Sequence, residues 1–119
     1  MTVEKATGRQ VFALAIVPGL VRVAREHGYA LAVHGSLARD FDFIACPWTD
    51  DAVEADALVE ALRAHVGGIV SGGSPHSRPH GRLGWAMHIS PEVYIDLSVM
   101  PKSAGRGRQE AREGVVGSG

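Results

Sequence analysis

Residues 34–44 read His-Gly-Ser-Leu-Ala-Arg-Asp-Phe-Asp-Phe-Ile, and residues 93–99 read Val-Tyr-Ile-Asp-Leu-Ser-Val. Both stretches alternate in polarity, as a strand with two unlike faces does. In the first, Asp40 and Asp42 share one face while Phe41 and Phe43 share the other. In the second, Tyr94, Asp96 and Ser98 lie on one face and Ile95, Leu97 and Val99 on the opposite one. Aspartate is disfavoured in strands, so three of them on strand faces ask for a chemical reason. If the two strands are neighbours, the carboxylates meet. Unpaired, they repel, raise one another's pKa and destabilise the fold unless a cation neutralises them. An all-oxygen donor set favours Mg²⁺ or Mn²⁺ over zinc. Beside the Gly35-Ser36 turn, such a trio forms a candidate site for divalent metal and phosphate.

Outward from these strands the pattern supplies the other elements. A helix is expected from about Arg9 to His27, with Leu14, Val17, Val21 and Ala24 at three- and four-residue steps. Pro18 either kinks it or starts its second half, and Gly28 is placed to end it. Tyr29–His34 reads as a short apolar strand ending at Gly35, and Asp40–Cys46 as the next, closed by Pro47. Thr49-Asp50-Asp51 is expected to cap a second helix, Asp51 and Glu54 making a box-like start. Its buried stripe is Val53, Leu58, Leu62 and Val66, and Gly67-Gly68 stops it. Ile69-Val70-Ser71 is a candidate short strand, and 72–82, rich in Gly, Ser, Pro and His, reads as a long loop. Leu83–Ser90, the Ser90-Pro91-Glu92 turn and Val93–Val99 read as a hairpin. Two helices with mostly sequence-adjacent strands predict an α+β fold, one mixed sheet with helices packed on one face. The domain is expected over 1–101, with 102–119 a mobile Gly- and Arg-rich tail.

Composition bounds the function. The chain has 119 residues, 45% of them hydrophobic, with a net charge of −1, so one domain with a real core is expected. That balance argues against a general nucleic-acid coat, which needs a basic excess. Cys46 is the only cysteine, which excludes a disulfide framework and suits a reducing cytoplasm. The apolar run Val11–Leu20 is much too short to span a membrane and is interrupted by Pro18-Gly19. It continues in helical style rather than toward a cleavage site, so no membrane association is expected.

Gly35-Ser36, the Asp40-x-Asp42 strand and the later strand acid Asp96 together resemble the nucleotidyltransferase superfamily typified by DNA polymerase beta. The resemblance covers Val33 to Val99, the extent of a minimal domain of that superfamily. It implies a nucleotidyltransferase-like fold in which Gly35, Ser36 and their amides hold a nucleoside triphosphate. It further implies that Asp40 and Asp42 bind two Mg²⁺ or Mn²⁺ ions. Asp96 would complete the metal site that activates an incoming hydroxyl. The reaction implied is transfer of a nucleoside monophosphate to a protein or nucleic-acid acceptor with release of pyrophosphate. Only Leu37-Ala38-Arg39 separate Ser36 from Asp40, whereas members usually carry a longer insert with a short phosphate-cradling helix. Small phage- or prophage-type proteins have a similar compact His-Gly-Ser…Arg-Asp-x-Asp…Pro-Trp pattern. Small stand-alone members of the superfamily often work with a helical partner, which implies a toxin–antitoxin-like arrangement as one variant.

Each singled-out residue also has a plainer reading. Gly35-Ser36 is a turn in which Gly supplies positive φ. His34 is a hydrogen-bonded strand histidine sooner than a ligand. Arg39 either pairs with the adjacent acids or contacts phosphate. His76, Arg78, His80 and Arg82 form a basic loop cluster, read either as solvated surface or, through His80 and Arg82 among others, as a phosphate contact. A zinc site from His76, His80 and His88 is disfavoured, because no helix holds the spacing and no Cys joins. His88, opposite the apolar stripe of its strand, is a candidate to hydrogen-bond and orient Asp96. Trp48 and Trp85 are expected in the core. The function expected is metal-dependent nucleotidyl transfer. The alternative is a catalytically degenerate module of the same fold that binds nucleotide, nucleic acid or a partner protein. A metal-dependent phosphohydrolase fits the acids but leaves Gly35-Ser36 unexplained.

Overall fold

The apolar residues at alternate positions of 41–45, 85–87 and 95–99 all turn to one side of a sheet, and both helices lie against that side. A computed structural model describes Lys5 and residues 7–37, 40–91 and 93–102. In chain order the elements are α1 (Gly8–Glu26), β1 (Tyr29–His34), β2 (Phe41–Pro47), α2 (Ala55–Val66), β3 (Ile69–Val70), β4 (His76–Ser77), a short 3₁₀ turn (Pro79–Gly81), β5 (Leu83–Ser90) and β6 (Val93–Val99). The sheet runs β1-β2-β6-β5-β3, with β4 also paired to β5. All these pairings are antiparallel except β2 with β6, which is parallel. The expected α+β class, mixed sheet and helices on one face are therefore found.

The core is built from Leu20, Val23 and Ala24 of α1, Leu58, Val59 and Leu62 of α2, and the inward residues Phe41, Phe43, Trp85, Met87, Ile95, Leu97 and Val99. Gly19 lets the helices close on one another, since a Cβ there would run into the His65 imidazole. Thr7 and Gln10 form a reciprocal capping box at the start of α1. Pro18 sits inside that helix. The buried face of α1 runs through Ala13, Leu20, Val23 and Ala24, rotated from the expected stripe, and Leu14 is 58% exposed. Apolar residues surround α1 on nearly every side, so periodicity alone selects its inner face poorly.

Three further expectations are corrected. The second helix begins at Ala55 with Glu54 as N-cap, not at Thr49-Asp50-Asp51. Residues 48–53 are instead pinned to the α1–β1 turn: the Trp48 and Thr49 amides donate to Gly28 O, and the Val53 amide to His27 O. The Tyr29 hydroxyl also donates to Val53 O at 2.6 Å. Trp48 is not in the core. It is 80% exposed, because this tether turns it outward, whereas Trp85 is buried as expected. The stretch 72–82 is not all irregular, since β4 and the 3₁₀ turn lie within it.

At the far end, the Met100 amide donates to Ala45 O and the Lys102 ammonium to Glu54. The rest of the expected tail, 103–119, lies outside the described residues. No helix among the described residues is long and apolar enough to cross a membrane.

Candidate functional site

The face of the sheet turned away from the helices carries the polar residues, and the register sets them in rows. His34 of β1 lies opposite Asp42 of β2, Asp42 opposite Asp96 of β6, and Asp96 opposite Ala86 of β5. One strand spacing, about 4.8 Å, therefore separates the Asp42 and Asp96 backbones. A second row holds Tyr94 opposite His88, their ring centroids 5.6 Å apart. Asp40 stands just ahead of β2, and the Tyr94 hydroxyl donates to its carboxylate. The three acids found in the sequence thus gather on one face, two of them as direct neighbours.

Burial and repulsion act on Asp42 in the same sense. Asp42 is pushed above the ordinary carboxylate range, first by burial and then by the charges of Asp96 and Asp40. His34 and Arg78 act in the opposite sense. The Tyr94 phenol is likewise raised, first by its bond to Asp40, then by burial and the charges of the three acids.

The cation that answers this field comes from the basic loop. Arg78 Nη2 donates to Asp96 Oδ1 at 2.6 Å and Nη1 to Asp96 Oδ2 at 3.3 Å, with Ser98 Oγ at 3.4 Å from Nη1. Both side chains of the pair are largely sheltered, at 29% and 26% exposure. Gly84, opposite Ser98, makes the approach feasible, because a Cβ there would collide with the guanidinium.

The other expected site residues divide. Gly35 has φ 89° and borders the Asp42 carboxylate, so the positive-φ turn is real and adjoins the acids. The Ser36 carbonyl accepts from Gln10 Nε2 of α1 at 3.3 Å, which ties the turn to the helix start. Arg39 lies outside the described residues. His88 shares the face of Asp96 as its parity requires, but it lies against Tyr94. His80 is exposed in the 3₁₀ turn with φ 66°, and Arg82 Nε donates to Pro79 O.

Arg78 is the residue that sequence reasoning undervalued, taking it only as one member of a basic loop. The signal that could have found it is Gly84. A glycine inside a strand, on its polar face, marks a place where another group comes close.

The donor chemistry fits a hard divalent cation: carboxylate oxygens only, destabilised by one another's charge. Among the described residues, no group of three or more His, Cys, Asp or Glu is arranged to hold a metal ion. Arg78 meanwhile spans both oxygens of Asp96. Comparison with protein-family models, with curated proteins and with solved structures finds no match for this chain.

Proposed function

We propose that the acidic face is the active site of a metal-dependent nucleotidyltransferase, with Asp40, Asp42 and Asp96 as its Mg²⁺- or Mn²⁺-binding carboxylates. The observation that carries this reading is the pairing of Asp42 with Asp96 across adjacent parallel strands, within the field of Asp40. Asp42 is raised by its burial and by Asp96 and Asp40, and a carboxylate set against folding in this way supports a site kept for its chemistry. Divalent metal, when bound, supplies charge neutralisation at the attacking and leaving oxygens. The Gly35-Ser36 turn, beside Asp42, offers backbone amides and a hydroxyl to the triphosphate. Asp96 completes the acid set on the side of the acceptor hydroxyl. The acceptor hydroxyl gives up its proton to solvent as its oxygen forms a bond to the α-phosphorus, the bond from α-phosphorus to the bridging oxygen breaks, and pyrophosphate leaves. The acceptor is a protein or nucleic acid.

A second reading has its own observation. Arg78 already neutralises Asp96, which suits a degenerate module of the same architecture that binds nucleotide, nucleic acid or a protein without catalysis. Calorimetric titration of Mn²⁺, with and without ATP, separates the two. The enzyme reading expects Mn²⁺-dependent ATP binding that is lost in Asp42→Ala. Absence of any Mn²⁺ binding by the wild-type protein would falsify it and leave the binding module.

A further inference from the structure

Arg78 follows β4 at the outer edge of β5, yet its guanidinium ends on β6, one strand further in. The path crosses β5 at Gly84, the position where any side chain would block it. The backbone that launches it is fixed: the Arg78 amide donates to Arg82 O at 2.9 Å, with Pro79 and the 3₁₀ turn between. Arg78 is thus delivered to the acids by a dedicated route, and its planar fork takes both oxygens of Asp96.

We propose that Arg78 is a triphosphate-binding residue of this site, held on Asp96 until a divalent cation takes that carboxylate. The inference rests on the nucleotidyl-transfer reading above. A guanidinium fork fits a pair of phosphate oxygens as it fits a carboxylate, so the side chain that now spans Asp96 is already shaped for the substrate. Both oxygens of Asp96 are engaged by Arg78, so cation and arginine compete for them. Once displaced, the guanidinium stays tethered by the 78–82 backbone turn on the acidic face, where the phosphates arrive. Only three residues link Ser36 to Asp40, which leaves that side of the site little chain with which to hold a triphosphate. Arg78 supplies the grip from the opposite side of the acids, and Gly84 is the residue that admits it.

Calorimetry on Arg78→Gln tests this, with Mn²⁺ alone and then with ATP at saturating Mn²⁺, folding being checked by circular dichroism. The two affinities are expected to move in opposite directions. Mn²⁺ binds about three- to tenfold tighter, because its competitor for Asp96 is gone, while ATP binds about tenfold weaker or worse. Arg78→Lys keeps a cation beside Asp96 without the fork, so if the glutamine variant does not fold it carries the ATP expectation alone, binding ATP several-fold weaker than wild type. An ATP affinity unchanged in the variant overturns the proposal and leaves the nucleotidyl-transfer reading standing. Weakened Mn²⁺ binding also overturns it, reducing Arg78 to a structural ion pair. A wild-type protein that binds neither Mn²⁺ nor ATP overturns both.

Discussion

Asp42 carries most of the conflict between stability and chemistry in this fold. Its pKa is raised from an ordinary value of 3.8 by burial and by two neighbouring acids. Above its ordinary pKa and up to the raised one, the folded state holds more protons than the unfolded state. Stability from this group therefore falls as pH rises through that window. Asp42→Asn is expected to melt ~2–5 °C higher than wild type at neutral pH. The difference should shrink below about pH 3.8, where Asp42 is protonated in both states. A variant that melts lower at neutral pH would show that the attraction of the His34 and Arg78 charges outweighs the repulsion. The three acids were legible in the sequence because alternation alone fixes which face a strand residue takes. Arg78 was not, because a loop residue has no period from which its direction can be read, and only Gly84 hinted at its path.

The elements divide by the same logic. The strands at 29–34, 83–90 and 93–99 fall where alternation and turn residues put them. The start of α2 does not, since Thr49-Asp50-Asp51 has the composition of a cap while its backbone is bound to Gly28. Gly28 itself has φ 87°, and a Cβ there would strike Ala52 and Thr49. Gly28→Ala is expected to destabilise by more than about 1 kcal/mol in urea unfolding, combining strain with the clash. Thr7→Ala removes half of the capping box and is expected to cost about 1 kcal/mol by the same measurement. The effect should be absent if α1 frays through its first turn.

For the whole molecule, one cluster holds both helices to the sheet. Leu58 is fully buried within it, so Leu58→Ala is expected to cost about 2–5 kcal/mol in equilibrium unfolding. A smaller loss would mean that α2 can settle into the space left behind. The coarse architecture was legible because two faces of unlike polarity recur in β2, β5 and β6. The sheet order was not, because hydrophobic alternation says which face a residue takes and nothing about which strand stands beside which.

That order has a consequence for synthesis. β1 and β2 are joined by a short connection and can pair as soon as both leave the ribosome. β6, the strand that brings Asp96 beside Asp42, is the last to emerge, after α2 and three other strands. Closing so long a loop is the slow step of such a topology. The nascent chain carries Asp42 without its neighbour until β6 has emerged, so the pairing of Asp42 with Asp96 comes late in folding. Until then Asp42 is spared the charge that Asp96 sets beside it.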